Sequence, residues 1–212
     1  MTFQKKVKAI SLLAASSLTF LTGNSLKASE EYPTGMYGTI SLGAGKISHF
    51  DDQLGTDIDY AYGLFYELGL GYDFGKNFRT DISYIRGRTE LDGKESGIND
   101  GDTVTKGFML TGYIDFPIEN TKWEPFIGLG IGSMEMDATE NCDGAATSDC
   151  TDDAFTYSIS GGVNYAINPS TSISAKITYM DYEDIVFTNG GATIDNIEKS
   201  TLSAYTGLKF NF

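Results

Sequence analysis

Large apolar side chains alternate with small or polar ones from Tyr60 to Phe74. Every second residue from Tyr60 onward is large and apolar or aromatic, whereas the residues between them include three glycines, Glu67 and Asp73. Successive side chains of a β-strand point to opposite faces, so this period of two predicts a strand with one apolar and one polar face. The run is also longer than most strands of globular proteins. Length and alternation together favour a strand that crosses a membrane within a closed barrel.

The same alternation recurs along the chain, separated by turn signals. The predicted strands are Met36–Ser48, Tyr60–Phe74, Phe78–Arg88, Lys106–Phe116, Trp123–Met134, Phe155–Ile167, Ser172–Tyr182 and Thr201–Phe212. Short connections near residues 75–77, 117–122 and 168–171 alternate with longer ones near 50–59, 88–105, 135–154 and 183–200. Short periplasmic turns and longer external loops are typical of outer-membrane barrels. The pattern therefore predicts an all-β protein, an eight-stranded antiparallel up-and-down transmembrane β-barrel.

The direction of the apolar face separates a membrane barrel from a soluble one. The interior of an eight-stranded barrel is only just wide enough for side chains to fill. Along each strand, one set of alternate residues forms the apolar face, and this apolar parity carries too many Tyr, Phe, Ile and Leu residues for that space. The other set, the polar parity, is mostly Gly, Ser and Thr with a few charges. The apolar face is therefore expected to contact lipid. A secreted ligand-binding barrel of the lipocalin kind and a soluble sandwich are less favoured alternatives.

The N-terminus has the order of regions of a secretory signal peptide. Lys5, Lys6 and Lys8 precede an apolar stretch, Ile10–Leu21, and small and polar residues then lead to Ala28. The apolar stretch is too short to span a bilayer as a helix. We expect residues 1–28 to be a signal peptide and residues 29–212 to form the barrel domain.

The chain is strongly acidic, with 29 acidic and 15 basic residues and a formal net charge of −14. Such a charge disfavours nucleic acid and anionic lipid headgroups as direct partners. Acids are bunched in the predicted outer loops, but their spacing matches no defined calcium loop, so we expect a solvated anionic surface. The expected surroundings are the lipid bilayer and lipopolysaccharide, with divalent cations gathered near its phosphates.

Two cysteines, Cys142 and Cys150, lie in one acidic, polar stretch. A secreted chain meets an oxidising compartment, so a disulfide within this loop is the expectation, with two free thiols as the alternative. A zinc site is not expected, because the one histidine of the chain, His49, is distant in sequence. No metal or cofactor is predicted.

No reaction is predicted from the candidate chemical motifs. Ser48 and His49 are adjacent in a strand and point to opposite faces, so they would not converge on one substrate. The glycines at 128, 130 and 132 lie within a predicted strand with no helix after them, which excludes a dinucleotide loop. We therefore expect a protein that is not an enzyme.

Charged residues on the inward parity are the candidate site of the barrel. Charges buried in a barrel are costly unless they are paired. We hypothesise that Glu67, Arg79, Asp81 and Lys176 form a network in which Glu67 pairs with Lys176 and closes the lumen. The alternative is a narrow, cation-preferring pore, because acids outnumber bases in the inward set. That set is Glu67, Asp73, Arg79, Asp81, Asp115, Glu124, Lys176 and Lys209.

The chain resembles the small outer-membrane β-barrel family, the type that contains the OmpA transmembrane domain, OmpX and the opacity proteins. The resemblance rests on the alternating strands, on the segment EPFIGLGIG at residues 124–132 and on the ending GLKFNF at residues 207–212. It implies location in the cell outer membrane with both termini periplasmic. It also implies that Phe212 and Phe210 are read by the outer-membrane insertion machinery. The implied role is structural and surface-interacting, with an unidentified loop partner, and a small channel for ions or solutes is the alternative.

Overall fold

Eight β-strands make up the described part of the fold. The computed structural model describes residues 34–50, 62–90, 102–138, 150–189 and 192–212. No helix within these ranges is long and apolar enough to cross a membrane. The strands are β1 (Gly35–Phe50), β2 (Gly63–Asp73), β3 (Phe78–Glu90), β4 (Asp102–Asp115), β5 (Trp123–Ala138), β6 (Cys150–Asn168), β7 (Thr171–Asn189) and β8 (Ala192–Asn211).

Each strand pairs with its neighbours in sequence, and the sheet closes on itself. The strand order is β1 to β8 in a closed barrel, and β1 pairs antiparallel with β8 from Tyr37↔Asn211 to Phe50↔Glu198. Closure leaves no unpaired sheet edge, which is the condition for strands in lipid, because hydrocarbon offers no hydrogen-bond partner. The predicted eight-stranded antiparallel up-and-down barrel is therefore confirmed.

Tight turns join the strands at one end of the barrel. Between β2 and β3, Gly75, Lys76 and Asn77 have φ angles of 69°, 51° and 66°. Asp73 Oδ1 accepts a hydrogen bond of 2.8 Å from the backbone N–H of Gly75 and caps this turn. Asn168 does the same between β6 and β7, accepting from the N–H of Ser170 at 2.9 Å. Side chains of Asp and Asn that accept from the backbone two residues later favour such turns.

The other end differs from the sequence prediction. A long connection was expected near residues 183–200, but β7 and β8 continue into it and leave only residues 190–191 between them. Backbone pairing such as Ile185↔Ile197 carries the hairpin outward across two register shifts. Asp137 and Asp153, expected in a loop, lie on β5 and β6. Pairing with a neighbouring strand is a tertiary property, so alternation alone underestimated these strands.

Some expectations fall outside the described residues. The predicted signal peptide, residues 1–28, is not among them, and neither are Tyr60 and Cys142. Cys150 opens β6, but its side chain is not described. The disulfide between Cys142 and Cys150 therefore stays a prediction.

Apolar side chains cover the outside of the barrel. On β2, Leu68 and Leu70 are 48% and 50% exposed, whereas the intervening parity turns Phe65 and Glu67 inward, at 0% and 4%. Aromatic residues lie near both ends of this outer surface. The outward ring near the turns includes Phe74, Phe78, Phe116 and Trp123, and the opposite ring includes Tyr66, Tyr84, Phe108 and Phe155. Such rings settle at membrane interfaces.

Candidate functional site: the lumen of the barrel

Inward side chains divide the lumen into two halves. The half near the tight turns holds the charged residues, and the half near the outer end is mainly apolar. The charged half contains Asp73, Arg79, Asp115, Glu124 and Lys209 nearest the turns, with Glu67, Asp81 and Lys176 closer to mid-depth. Because every second residue of each strand points inward, eight strands bring side chains distant in sequence into one narrow space.

Glu67 and Lys176 meet across the lumen. Lys176 Nζ, on β7, donates hydrogen bonds of 2.7 and 2.8 Å to the two carboxylate oxygens of Glu67, on β2. The side chain of Lys176 is only 10% exposed and that of Glu67 only 5%. The two residues are 109 positions apart in the sequence. A buried pair with this geometry holds opposite walls of the barrel together, and removing either partner would leave a charge uncompensated.

Arg79 forms a second centre nearer the turns. Its Nε donates to both oxygens of Asp115, at 3.1 and 3.0 Å, from the neighbouring strand. The guanidinium also lies 4.0 Å from the ring centroid of Tyr113 and 4.9 Å from that of Phe126. A planar, weakly hydrated guanidinium suits such a place, because it makes charged hydrogen bonds in its plane and stacks on aromatic faces.

Tyr37 joins Arg79 to Asp81 and was missed in the sequence analysis. Its hydroxyl donates to Asp81 Oδ2 at 3.1 Å and accepts from Arg79 Nη1 at 3.3 Å. The ring lies against Gly71 on β2, where a Cβ atom would collide with it. The available signal was parity, since Tyr37 lies on the same inward set of β1 as Ser41. Tyr37 lies near the start of β1 among apolar residues and glycines, and nothing in that segment indicated that its hydroxyl would join a polar network.

Carboxylates outnumber cations in this half of the lumen. Asp73 Oδ2 lies 3.8 Å from Lys209 Nζ. With the pairs Arg79–Asp115 and Lys176–Glu67, this makes three ion pairs among the described residues of this half. The remaining two carboxylates bind neutral donors: Asp81 accepts from Tyr37, and Glu124 accepts from Asn164 Nδ2 at 3.1 Å. The described lumen thus brings together all four residues of the hypothesised network, with an excess of two carboxylates.

A small cavity of about 20 Å³ lies within the network. Asp81, Thr39, Ser41 and Lys176 are among the residues that line it. Asp81 Oδ1 and Thr39 Oγ1 are buried without a hydrogen-bond partner. A volume of this size with several polar partners suits one water molecule, which would satisfy both atoms. It is far smaller than a pocket for an organic ligand.

The outer half of the lumen is filled by large apolar side chains. Phe65 and Met134 are 0% exposed, and the remaining members of this apolar plug are nearly as buried. The plug consists of Phe65, Ile85, Met109, Met134, Met136, Ala154, Met180, Tyr182 and Tyr205. Flexible methionine side chains fill irregular gaps well. The sequence analysis described the inward parity as small and polar, and it overlooked four methionines on that parity.

The other candidate residues take no part in the charged network of the described lumen. The backbone N–H of Phe212 donates to Met36 O at 3.0 Å, and its side chain is 80% exposed on the outer surface with that of Phe210. Their reading by the insertion machinery stays a prediction. Gly128 and Gly130 lie inward on β5, where a Cβ atom would meet Tyr113 and Ser158 side chains, so they leave space for neighbours. His49 lies on β1, and its side chain is not described.

A family model and a curated relative match much of this chain. The family model described as "Outer membrane protein beta-barrel domain" matches residues 13–210. A Rickettsia canadensis (strain McKiel) protein named "Putative adhesin" is 27% identical over 138 residues, which is 59% of this chain. The chain matches 61% of the length of that relative.

Solved structures share the fold. Neisserial surface protein A aligns with a TM-score of 0.57 and 19% identity, covering 84% of this chain and 98% of that protein. OprG from Pseudomonas aeruginosa aligns with a TM-score of 0.56 and 16% identity, covering 84% and 96%. At these identities the likeness establishes the fold of the barrel.

Proposed function

Because the chain belongs to the outer membrane protein beta-barrel domain family, we propose that it is a closed barrel that acts at the cell surface in adhesion. The protein lies in the outer membrane, and the proposal concerns what it does there. The observation that carries the closed state is the double filling of the lumen, by the Glu67–Lys176 pair and by the apolar plug. A lumen packed with side chains leaves the outer surface and the loops as the functional parts.

Two observations support adhesion. The relative named as an adhesin matches more than half of this chain. Acidic residues face outward at the outer end of the barrel, with Asp137 on β5, Asp153 on β6 and Glu183 on β7. A surface of one charge sign favours partners that present basic patches. The cavity of about 20 Å³ in the lumen is far too small for an organic substrate.

The adhesion proposal is tested by displaying the barrel on a bacterium that lacks it. Wild-type display should raise adherence to cultured epithelial cells. Neutralising two of the outward acids at this end with Asp153→Asn and Glu183→Gln should lower adherence at unchanged surface level. Glu119→Gln, in a turn at the opposite end, is the control and should leave adherence unchanged. Equal adherence with and without the barrel would refute the proposal.

A passive channel is the second candidate, and one observation favours it. The half of the lumen near the tight turns has an excess of two carboxylates and a polar cavity. These features would suit a path for cations if the side chains that fill the lumen moved aside. The two candidates differ in electrical conductance. If the wild-type barrel is closed, it should give no steady current in a planar bilayer. If it is a channel, the wild-type barrel should conduct.

Variants sharpen this measurement. Lys176→Ala removes the polar closure and Phe65→Ala thins the apolar plug. Each single variant should stay closed, because the other half of the lumen is still filled. The double variant should show discrete openings that prefer cations over anions, as expected for a lumen richer in carboxylates. A large steady current in wild type would overturn the closed barrel and establish the channel.

A further inference from the structure

The pairing between β6 and β7 ends before either strand does. The last pair between them at the outer end is Thr156↔Tyr182. Beyond it, residues 150–155 of β6 stay paired with β5, and residues 183–189 of β7 stay with β8 across two register shifts. Among the described residues, these two segments therefore face each other across a gap, and each has one edge without a neighbouring strand.

Bulges accompany the separation of β7 from β6. The register between β7 and β8 shifts between Tyr182 and Ile185, and again between Ile185 and Phe187. A β-bulge bends its strand and increases the local twist. Over the same outer part of the barrel, β5 and β6 pair without a shift. The β7–β8 hairpin therefore turns away from the β5–β6 hairpin, which accounts for the gap.

The gap lies outside the hydrocarbon layer of the membrane. Phe155 on β6 belongs to the outer aromatic ring, and residues 150–154 lie beyond it. An open sheet edge does not occur in hydrocarbon, because nothing there would hydrogen-bond its backbone. In water such an edge is permitted, and it is a template on which a strand of another chain can pair.

The edge of β6 is the better template of the two. Residues 150–155 follow β5 in an unbroken register, and at about 3.4 Å per residue they offer an edge of about 20 Å. Every second residue of such an edge turns both its N–H and its C=O to the open side. On β7 the register shifts lie within the facing segment, and bulges hinder pairing along an edge.

The surroundings of the gap are acidic. Each of the four outer strand segments around it carries two acidic residues and no basic residue. These segments are 133–138, 150–155, 183–189 and 192–198. Lys106 on β4 lies 2.8 Å from Glu135 and 3.1 Å from Asp137, so it offsets part of this charge. An edge in such surroundings repels a second copy of itself and attracts basic chains.

We propose that the open edge of β6, residues 150–155, binds an extended basic peptide segment of a partner protein as an added β-strand. Backbone hydrogen bonds supply binding that does not depend on an exact sequence, and the acidic surroundings select segments rich in lysine or arginine. This inference rests on the proposed adhesion and names the chemistry of its partner.

The test uses the refolded full barrel in lipid nanodiscs and a short fluorescent peptide of alternating lysine and valine. Fluorescence anisotropy measures binding. The same peptide N-methylated at every amide keeps its charge but has no backbone donors, and it should bind about tenfold more weakly. A peptide with glutamate in place of lysine should also bind about tenfold more weakly, because the surroundings repel it. Equal binding of the three peptides would overturn the proposal.

Hydrogen exchange followed by NMR locates the bound peptide. Amides within residues 150–155 should exchange about fivefold more slowly when the lysine peptide is bound, and amides of β3 should not change. Binding without this slowing, or with slowing elsewhere instead, would overturn the proposal.

A charge variant and its matched control complete the test. Glu183→Gln, across the gap, should weaken binding of the lysine peptide about twofold, and Glu119→Gln, at the opposite end, should leave it unchanged. An equal effect of both variants would contradict the place of the site. Heat-modifiable gel migration checks that each variant is folded.

Peptide binding and cell adherence can fail separately. If display raises adherence while the purified barrel binds no lysine peptide, the strand-addition site is overturned and adhesion stands. If the peptide binds at residues 150–155 while display leaves adherence unchanged, the site is supported and the adhesion proposal is overturned.

Discussion

Replacing Lys176 with methionine should destabilise the barrel far more than a like change at its surface. Methionine is close to lysine in length but carries no charge, so Lys176→Met leaves Glu67 buried, at 4% exposure, without its cation. Removing one partner of a buried ion pair costs about 3–5 kcal/mol of unfolding free energy. The loss adds to a lumen that already has more carboxylates than cations, which places the expected cost toward the upper end of that range.

The reverse substitution should be milder. Glu67→Gln leaves Lys176 charged, but Asp81 lines the same cavity and remains as a carboxylate near the ammonium group. We expect a loss of about 1–3 kcal/mol. The double variant, Glu67→Gln with Lys176→Met, removes both charges and should recover most of the stability, because replacing a whole buried pair by neutral groups is often nearly neutral.

Urea unfolding of the barrel refolded in lipid vesicles measures these differences. Trp123 is the one tryptophan of the chain and lies in the belt of aromatic residues near the turns, so its fluorescence reports unfolding. Lys106→Met is the control, because its ion pairs to Glu135 and Asp137 are of similar length but about one-third exposed. It should cost little unfolding free energy, since exposed ion pairs contribute little to stability. Additive losses in the double variant, or equal losses at Lys176 and Lys106, would refute the reasoning.

Three further substitutions, one of them a control, test the packing of the lumen by the same unfolding assay. Gly87→Ala would drive a Cβ atom into the ring of Phe65 and should cost about 1–3 kcal/mol, whereas Gly161→Ala, which meets open space on the lipid side, should be tolerated. An equal loss in both would contradict the packing described for Phe65. Tyr37→Phe removes the donor to Asp81 and should cost about 1–3 kcal/mol through an unsatisfied buried carboxylate, and a neutral result would mean that another donor serves Asp81.

The pair across the lumen was hypothesised from the sequence, because parity placed Glu67 and Lys176 on the inward face and a buried charge needs a partner. The structure places Lys176 Nζ within hydrogen-bond distance of both carboxylate oxygens of Glu67, a contact between β2 and β7 that requires the closed barrel. The role of Tyr37 likewise depends on Gly71 on the adjacent strand, which leaves room for its ring. The apolar plug went unnoticed because its four methionines, one on β4, two on β5 and one on β7, form a cluster only when the strands are brought together.

The sequence by itself determined the strands, their faces and the excess of negative charge, because each of these follows from the order of residues within one strand or from a sum over the chain. Alternation at Tyr60–Phe74 divides the side chains of that strand between two faces without reference to any other strand, and the narrow interior of an eight-stranded barrel then assigns the apolar face to lipid. Tertiary structure alone decided the apolar plug, the place of Tyr37 between Arg79 and Asp81, and the extension of β7 and β8. Those features arise from the register between strands, which brings distant residues to one depth and one side of the barrel.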